Sequence, residues 1–369
     1  MPPTARSTPG PDVAVRATLS DVAARAGVAV STASLALSGG ARVAAATRAR
    51  VVAAAAALGY AGPDPLARSL RSRRSGVVGA VVGERLGYAF RDPVAVLLLD
   101  GIAEVLGPLG VGLLLLPGDD QRNGPSLEQI GRVPLDAAVY TMGGLPDDPV
   151  LPMLLRRGVP VVAVEDRLGD GPVFVGTEDR AGSARLARHL TDLGHRRVAV
   201  VTLPLRLDGR QGPIDAGRLG RPHYQAVSER LGGVAEVCGD IPAWEVAANA
   251  VEEGEIAGRA LLDAPPERRP TAVVAQSDLL ALGVVRAAHA LGLAVPGEVS
   301  VAGFDGVELP TIAPVVLTTV VQPTAEKGRT AGRAVAELLA GRRPPDVVLP
   351  VGLRVGTTTG PAPEVSRRP

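Results

Sequence analysis

The stretch from Thr18 to Leu58 constrains the fold of this 369-residue chain more than any other. Thr18 precedes Asp21 by three residues, which signals a helix start because a hydroxyl and a carboxylate can satisfy free amide hydrogens of a first turn. Ala23 and Gly27 lie four residues apart, a small residue where two helices can cross and a glycine where the chain can turn. The apolar positions around them are Val22, Ala26, Val28, Ala33 and Ala36. This spacing predicts a helix-turn-helix, although an ordinary pair of antiparallel helices would look similar.

Positive charge is concentrated in the same part of the chain. Residues 18–75 hold eight arginines and two aspartates, a net charge of +6 in a chain whose formal total is +1. A small basic module of this kind is typical of proteins that bind the phosphate backbone of DNA, although a solvated charged face would give the same count.

The remainder of the chain alternates buried strands with helical stretches. The run Val77–Val82 is apolar throughout, which is typical of a parallel strand buried on both faces. Further strands are predicted at 111–116, 137–140, 159–164, 197–202, 272–276, 299–303, 317–320 and 347–349. Helices are predicted at 94–109, 180–193, 224–231, 244–263, 277–291 and 324–340. The alternation predicts two parallel α/β lobes.

Several motifs resemble the lactose-repressor (LacI/GalR) family. The N-terminal part matches its DNA-binding domain and hinge through D-V-A-x-x-A-G-V from Asp21, S-T-x-S-x-x-L from Ser31, L-G-Y from Leu58 and L-A-R-S-L from Leu66. The segments 193–201, 277–283, 295–305 and 317–323 are similar to the family's effector-binding core. The resemblance implies a small all-α helix-turn-helix domain with a hinge helix, followed by an α/β periplasmic-binding-protein-like core of two Rossmann-like lobes.

On this basis the chain is expected to divide into four parts. They are a disordered tail (1–17), a helix-turn-helix domain (18–61), a hinge (62–75) and an effector-binding core (76–369). Within the core, the first lobe would comprise about 76–176 with a return segment at about 306–325. The second lobe would comprise about 177–305 with a return segment at about 326–358.

The resemblance also implies a function. The chain would be a sequence-specific DNA-binding transcriptional regulator that acts as a repressor, as is usual for the family, and a homodimer on a pseudo-palindromic double-stranded DNA operator. A small metabolite bound between the lobes would control operator affinity, with a sugar as the first candidate and a nucleoside as the alternative.

Residues of the DNA-binding part can be assigned by the same resemblance. Val30, Ser31 and Leu35 would face base edges, while Thr18, Thr32, Ser34, Ser38 and Arg71 complete the expected DNA-binding set, several of them near phosphates. Leu70 would be the wedge in the minor groove, and Ala67 would pack against its symmetry mate. The chain departs from the family at Ala29, where serine usually caps the recognition helix, and at Leu35, where arginine is usual.

Candidates for the cleft combine strand-end positions with the resemblance. Asp278 follows the strand 272–276, with helix capping as the alternative role, and Glu165 and Asp166 end the strand 159–164. Arg218 and Arg221 flank Gly220, which occupies the position of the family's anchoring arginine. Phe90 and Trp244 are scarce aromatic rings in a chain with eight, and either a stacking wall or core packing would explain them.

Enzyme chemistry has no support in the sequence. There is no complete dinucleotide fingerprint, P-loop, G-x-S-x-G or H-E-x-x-H motif, and four dispersed histidines with one cysteine make no metal set. No catalytic residue, cofactor or metal is therefore expected. The single cysteine and the lack of an 18-residue apolar run favour a cytoplasmic protein. The rival interpretation is a solute-binding or enzymatic α/β protein with an incidental N-terminal helical hairpin.

Overall fold

The computed structural model describes residues 17–38, 43–62, 74–83, 85–118, 124–142, 148–206, 208–219, 223–308 and 316–363. The chain divides into two compact units, Met1–Ser75 and Gly76–Pro369. Several sequence predictions lie outside the described residues: the tail apart from residue 17, the hinge helix with Ala67, Leu70 and Arg71, and the candidate Arg221.

The N-terminal unit contains three described helices, α1 (Leu19–Ala26), α2 (Val30–Leu37) and α3 (Ala45–Ala57). Thr18 caps α1 as predicted: its hydroxyl accepts from the amide of Asp21, whose carboxylate accepts from the amide of Thr18 at 2.8 Å. Gly27 ends the helix at φ +64°, a left-handed conformation that glycine adopts without strain. Buried Val22, Ala33 and Val51 join the three helices. The predicted helix-turn-helix is confirmed.

The first lobe of the C-terminal unit is built on a fully parallel sheet. Its strands are β1 (Val77–Val82), β2 (Gly112–Pro117), β3 (Ala137–Tyr140), β4 (Val161–Val164), β5 (Val173–Thr177) and β12 (Val347–Leu349), in the order β12-β5-β4-β3-β1-β2. Its helices are α4 (Leu86–Ala89), α5 (Pro93–Leu106), α6 (Leu127–Gly131), α7 (Val150–Arg156) and α13 (Thr324–Leu339), with a 3-10 turn at Gly107–Leu109. The strands are apolar on both faces because helices cover both sides.

The second lobe has a larger, mostly parallel sheet. Its strands are β6 (Val198–Thr202), β7 (Gly212–Pro213), β8 (Ala243–Glu245), β9 (Ala272–Ala275), β10 (Ser300–Asp305), β11 (Thr318–Val321) and β13 (Gly352–Arg354), in the order β13-β11-β10-β9-β6-β8-β7. Its helices are α8 (Asp179–Asp192), α9 (Ala216–Leu219), α10 (Gln225–Cys238), α11 (Val251–Leu262) and α12 (Asp278–Ala290). Only the edge strands β7 and β13 pair antiparallel among the described strands.

The structure corrects most of the predicted return segments: β11 and the segment from α13 to β12 are exchanged between the lobes, whereas β13 lies in the second lobe as predicted. Strand β11, placed by the sequence in the first lobe, pairs in parallel with β10 of the second lobe. Helix α13 packs on α5, and β12 pairs with β5, so both belong to the first lobe rather than the second. The chain therefore crosses between the lobes after β5, after β11 and after β12. These strand pairings join distant segments, which local sequence patterns do not encode.

One helix boundary is also corrected. The helix predicted from Trp244 begins instead at Val251, because residues 243–245 form β8 beside β6. Strand β5 at the end of the first lobe was not predicted at all.

Glycines let several helices approach each other closely. A methyl group on Gly101 of α5 would collide with the carbonyl oxygen of Ala325 in α13, and one on Gly328 would collide with that of Leu98. Gly254 and Gly283 allow the same close packing of α11 on α12. Close backbone contact replaces the large side chains that a chain with 2% aromatic residues lacks.

Candidate functional site

Helix α2 presents an exposed face in the N-terminal unit. Val30 and Leu35 are each 46% exposed, and Ser31 and Ser34 are exposed between them. Ala33 and Ala36 on the opposite face are buried against α1 and α3. Two other residues of this segment are predicted to contact DNA: Thr32 is half-buried and Ser38 is exposed.

The start of α2 lacks a side-chain cap. Ala29 occupies the N-cap position with extended backbone, and no side chain there accepts a hydrogen bond from the first turn. The amide hydrogens at this helix end are thus available to an outside acceptor such as a phosphate oxygen.

A cavity of about 440 Å³ lies between the two lobes of the C-terminal unit. It forms where the strands end at their carboxyl termini, the usual ligand position in parallel α/β sheets. The first lobe contributes residues after β1, β3 and β4: Gly83, Met142, Glu165 and Asp166. The second lobe and the β11 crossing contribute Leu203, Asn249, Ser277, Asp305 and Gln322, among others.

A network of buried charges forms one wall of this cavity. The guanidinium of Arg230, on α10, donates through Nε to Asp179 at 2.7 Å and through Nη1 to the carbonyl of Gln276 at 2.9 Å. It also stacks on the ring of Phe304, with 3.8 Å from its carbon to the ring centroid. Oε2 of Glu165 lies 3.8 Å from Nη2 of Arg230, and Oδ1 of Asp305 lies 3.8 Å from Nη1. Arg230 thus holds carboxylates of both lobes together.

Lys327 of α13 completes the network from the first lobe. Its fully buried ammonium pairs with Oε1 of Glu165 and donates to Oε1 of Gln322 at 2.6 Å. Gln322 in turn donates to Oδ1 of Asp305 at 2.7 Å. Sequence reasoning did not select Lys327 or Arg230, although Lys327 is the only lysine of the chain, and that rarity was a usable signal.

Three hydrogen bonds in this region connect the lobes or the groups that join them. Nδ2 of Asn249 donates to Oδ2 of Asp92 at 3.1 Å, and the hydroxyl of Ser277 donates to Oδ1 of Asn249 at 2.5 Å. The amide of Ala226 donates to Oδ1 of Asp166 at 2.9 Å. Asp92 and Asp166 belong to the first lobe, so both bonds that they accept cross the cleft.

Burial and neighbouring charges shift the pKa values of the carboxyl groups in the cavity. Burial raises the pKa of Asp166 to about 7 and raises that of Asp305 well above its ordinary value, with nearby carboxylates adding to both shifts. Burial acts in the same direction on Glu165, but the positive charges of Lys327 and Arg230 outweigh it and lower the pKa of that carboxyl. The positive neighbours therefore keep the Glu165 carboxyl ionised.

Of the predicted cleft residues, Glu165 and Asp166 line the cavity. Asp278 does not. It is fully buried, and its carboxylate accepts from the hydroxyl of Thr319 at 2.5 Å and from the amide of Val307 at 2.9 Å, so it is directed beneath β10 and β11. Burial raises the pKa of Asp278 to about 7. The helix cap comes from its neighbour Ser277, whose hydroxyl accepts from the amide of Leu280.

The other predicted side chains also lie away from the cavity. Arg218 is buried, and four of its five N–H donors bind the carboxylates of Glu245, at 2.7 Å through Nε and Nη2, and of Asp208, through Nη1 and Nη2. Trp244 packs against the second-lobe core, and Phe90 is 59% exposed at the end of α4. Their scarcity in the sequence did not indicate a binding role.

In the described part of the chain, no group of three histidine, cysteine, aspartate or glutamate side chains has an arrangement that could hold a metal ion. None of the helices in the described ranges combines the length and the apolar character needed to span a bilayer.

Comparison with known proteins identifies the class that this fold and cleft define. The family model for bacterial regulatory proteins of the lacI family matches residues 18–62, and the model for a periplasmic binding protein-like domain matches residues 187–359. The chain is 38% identical over 356 residues to the HTH-type transcriptional regulator Rv3575c of Mycobacterium tuberculosis, covering 94% of this chain and 98% of that protein. The chain therefore belongs to the LacI family; it is a DNA-binding transcriptional regulator and not an enzyme.

Individual relatives and solved structures extend the match over nearly the whole chain. HTH-type transcriptional regulator IpsA of Corynebacterium glutamicum is 30% identical, covering 93% of this chain and 98% of that protein. The complex of transcriptional regulator CelR with cellobiose superposes with a TM-score of 0.64 at 28% identity, covering 93% and 100% of the two chains. The lac repressor dimer bound to operator and an anti-inducer has a TM-score of 0.75 at 23% identity, covering 94% and 99%, and shows the shared fold.

Proposed function

We propose that this regulator is a cytoplasmic homodimeric repressor whose operator affinity is controlled by a sugar bound between the two lobes. The observation that carries the proposal is the cavity of about 440 Å³, within the range of small-molecule sites, at the carboxyl ends of both sheets. A ligand there contacts both lobes, so it can bind one lobe arrangement better than another and shift the equilibrium between them.

The relatives support a sugar as the effector. The CelR structure contains cellobiose, and the ribose operon repressor of Escherichia coli is 30% identical to this chain over 331 residues. Carboxylate groups accept hydrogen bonds from hydroxyls, and side-chain amides can both donate to them and accept from them. Hydroxyls are the polar groups of a sugar, so the polar groups of the cavity suit a sugar.

On the DNA side we propose that α2 enters the major groove. Val30, Ser31 and Leu35 would contact base edges, the first and last by apolar contact with thymine methyl groups. Phosphate contacts would come from Thr32, Ser34 and Ser38, and Thr18 and Arg71 would complete the DNA-binding set. Leu70 would insert into the minor groove, with Ala67 against its symmetry mate, as in the family resemblance. Two modules on a pseudo-palindromic operator would add their binding energies.

The test is a titration of the full-length protein with an operator recovered by selection from random DNA. Fluorescence anisotropy would measure operator affinity with and without each member of a sugar panel. We expect one sugar to change the affinity at least tenfold and to leave weak binding to random DNA nearly unchanged, since the latter depends on phosphates. A sugar that binds the protein without changing operator affinity would contradict the proposal.

A further inference from the structure

Arg218 of α9 is buried in the second lobe but does not line the cavity. Its guanidinium binds two carboxylates. Nε and Nη2 each donate to Glu245 at 2.7 Å, and Nη1 and Nη2 donate to Asp208 at 2.5 and 2.8 Å. Paired hydrogen bonds between an arginine and a carboxylate are strong and fix the direction of both groups. Arg218 therefore joins two segments that are distant in the sequence.

Glu245 connects Arg218 to the first stretch of the cavity wall. It lies on β8, it is 1% exposed, and its Oε1 also accepts from the amide of Leu205 at 2.6 Å. Leu203 and Pro204, immediately before Leu205, line the cavity. Because a buried carboxylate without a positive partner is unfavourable, the charge of Arg218 allows Glu245 to hold this stretch.

Asp208 connects Arg218 to the second stretch of the wall. Its side chain is 47% exposed, and its Oδ1 also accepts from the amide of Arg210 at 3.2 Å. Gly209, between these two residues, lines the cavity with φ +66°, a conformation that glycine adopts without strain. Hydrogen bonding to Arg218 lowers the pKa of Asp208 to about 2, so this carboxylate is charged throughout the physiological pH range.

Three residues thus form a part of the cavity that follows strand β6, and we call it the β6 wall: Leu203, Pro204 and Gly209. Little regular backbone structure holds residues 208–219 beside it. Strand β7 has two residues, paired with β8, and α9 has four. A segment with few backbone hydrogen bonds opens at a low cost in free energy. The position of Gly209 therefore depends largely on the contacts of Arg218.

We infer that Arg218 is a positioning residue: it contacts no ligand, and by binding Glu245 and Asp208 it holds the β6 wall in the shape that the effector meets. Arg218 was predicted from the sequence to touch the effector, and it acts on the effector indirectly instead. The inference rests on the proposed function and deepens it, since loss of the Asp208 contact should weaken effector binding from outside the cavity.

The first test is calorimetric titration of the full-length protein with ribose, glucose and cellobiose. Asp208→Asn keeps the size of the side chain but removes the charge that Arg218 binds. It should weaken binding of the sugar that the wild type binds by about tenfold. Asp208→Glu retains a carboxylate and should restore most of the affinity. Wild-type affinity in Asp208→Asn overturns the inference.

A second measurement requires no ligand. Trypsin cleaves after arginine, and Arg210 directly follows Gly209. Cleavage of a folded protein requires local opening of the chain around the cleaved bond. Mass spectrometry of the early products should therefore show cleavage after Arg210 about fivefold faster in Asp208→Asn than in the wild type. An unchanged rate overturns the inference whether or not a sugar binds.

Glu337→Gln supplies the matched control. Glu337 accepts from Arg342 at 2.5 Å, and its side chain is 43% exposed, close to the value for Asp208, but it lies on α13 of the first lobe. This variant should change neither the sugar affinity nor the rate of cleavage after Arg210.

A double variant tests the arginine itself. Arg218→Met alone would leave the buried carboxylate of Glu245 without its cation, so it is combined with Glu245→Gln, which removes both buried charges. The glutamine oxygen can still accept from the amide of Leu205, whereas Asp208 loses its partner. The double variant should therefore show the faster cleavage and the weaker sugar binding of Asp208→Asn. Wild-type values for both would contradict the role of Arg218.

Chemical denaturation separates positioning from a general effect on stability. A lower denaturation midpoint of Asp208→Asn with wild-type sugar affinity would mean that the ion pair only stabilises the fold, and the inference falls. If none of the three sugars binds the wild type but cleavage after Arg210 is faster in Asp208→Asn, the positioning role stands and the proposed sugar effector falls. If one sugar changes operator affinity at the same concentration in both proteins, effector control stands and the inference falls.

Discussion

Asp166 shows how a single residue in the cleft couples binding geometry to pH. It lies two residues after β4, it is 4% exposed, and it accepts a hydrogen bond from the amide of Ala226 across the cleft. Burial raises its pKa to about 7, so the folded protein retains a proton that the unfolded chain, with an ordinary aspartate pKa near 4, has released. The stabilisation from this proton is complete below about pH 4 and is lost as the pH rises to about 7.

Asp166→Asn should therefore make the stability of the core less dependent on pH. Asparagine does not titrate, so the variant lacks one contribution of at most about 1.4 kcal/mol per pH unit between about pH 4 and 7. Chemical denaturation at pH 5, 6, 7 and 8 would measure the free energy of unfolding. Asp170→Asn, at an exposed aspartate four residues further on, should keep the wild-type slope. Equal slopes for Asp166→Asn and wild type would disprove the assignment.

At the scale of the element, α2 depends on its neighbours for stability. It has eight residues, no side-chain cap at Ala29 and no charged residue in its first or last turn. A helix this short is unstable alone in water, so the burial of Ala33 and Ala36 against α1 and α3 must hold it in place. Its exposed face is consequently free to vary for DNA recognition without loss of the fold.

Leu35→Arg should add a base preference to this helix. Leucine can touch only a thymine methyl group, whereas arginine can make two hydrogen bonds to guanine, worth about 1–3 kcal/mol of discrimination. Selection from random DNA with both proteins should recover a guanine in the half-site of the variant that the wild type does not require.

Val52→Arg supplies the matched control for added charge. Val52 is an exposed apolar residue, 51% exposed, on α3 rather than α2. An arginine there should raise DNA affinity through phosphates and leave the selected sequence unchanged. Identical half-sites from wild type and Leu35→Arg would mean that Leu35 does not face the bases.

At the scale of the core unit, the lobes are joined by three crossings of the chain and by side chains that meet in the cleft. Asp92 caps α5 of the first lobe, Ser277 caps α12 of the second, and Asn249 hydrogen-bonds to both. This chain of hydrogen bonds connects the starts of two helices in different lobes. A ligand that competes for Asn249 or adds to its contacts would change the relative stability of the lobe arrangements.

Asn249→Ala should favour more open arrangements of the lobes. Loss of the hydrogen bond to Asp92 should destabilise the arrangement in which the lobes touch by about 1 kcal/mol. The equilibrium between touching and open lobes would then shift about fivefold towards the open arrangement. Spin labels on the two lobes would report the distance distribution. Asn249→Asp should open the lobes further, because it places a carboxylate against that of Asp92. Unchanged distances in both variants would show that this link does not hold the lobes.

Local patterns were sufficient for most of the elements, though not for strands β5 and β8, and for part of the site. The cap at Thr18, the turn at Gly27 and the apolar run Val77–Val82 depend on residues within a few positions of each other, so the sequence alone predicted the helix-turn-helix and the α/β alternation. Glu165 and Asp166 were selected because they follow a strand, and ends of parallel strands meet at one edge of a sheet.

Contacts between distant segments decided the rest. The lobe to which β11 belongs depends on its pairing with β10 and β13, and the direction of the Asp278 carboxylate depends on donors at Val307 and Thr319. Arg230 and Lys327 lie on helices that the sequence places about a hundred residues apart, and only the packing of the two lobes brings both to Glu165. Hydrogen bonds and charge pairs act over a few ångströms in space whatever the separation along the chain, so tertiary structure alone determined the charge of the cleft.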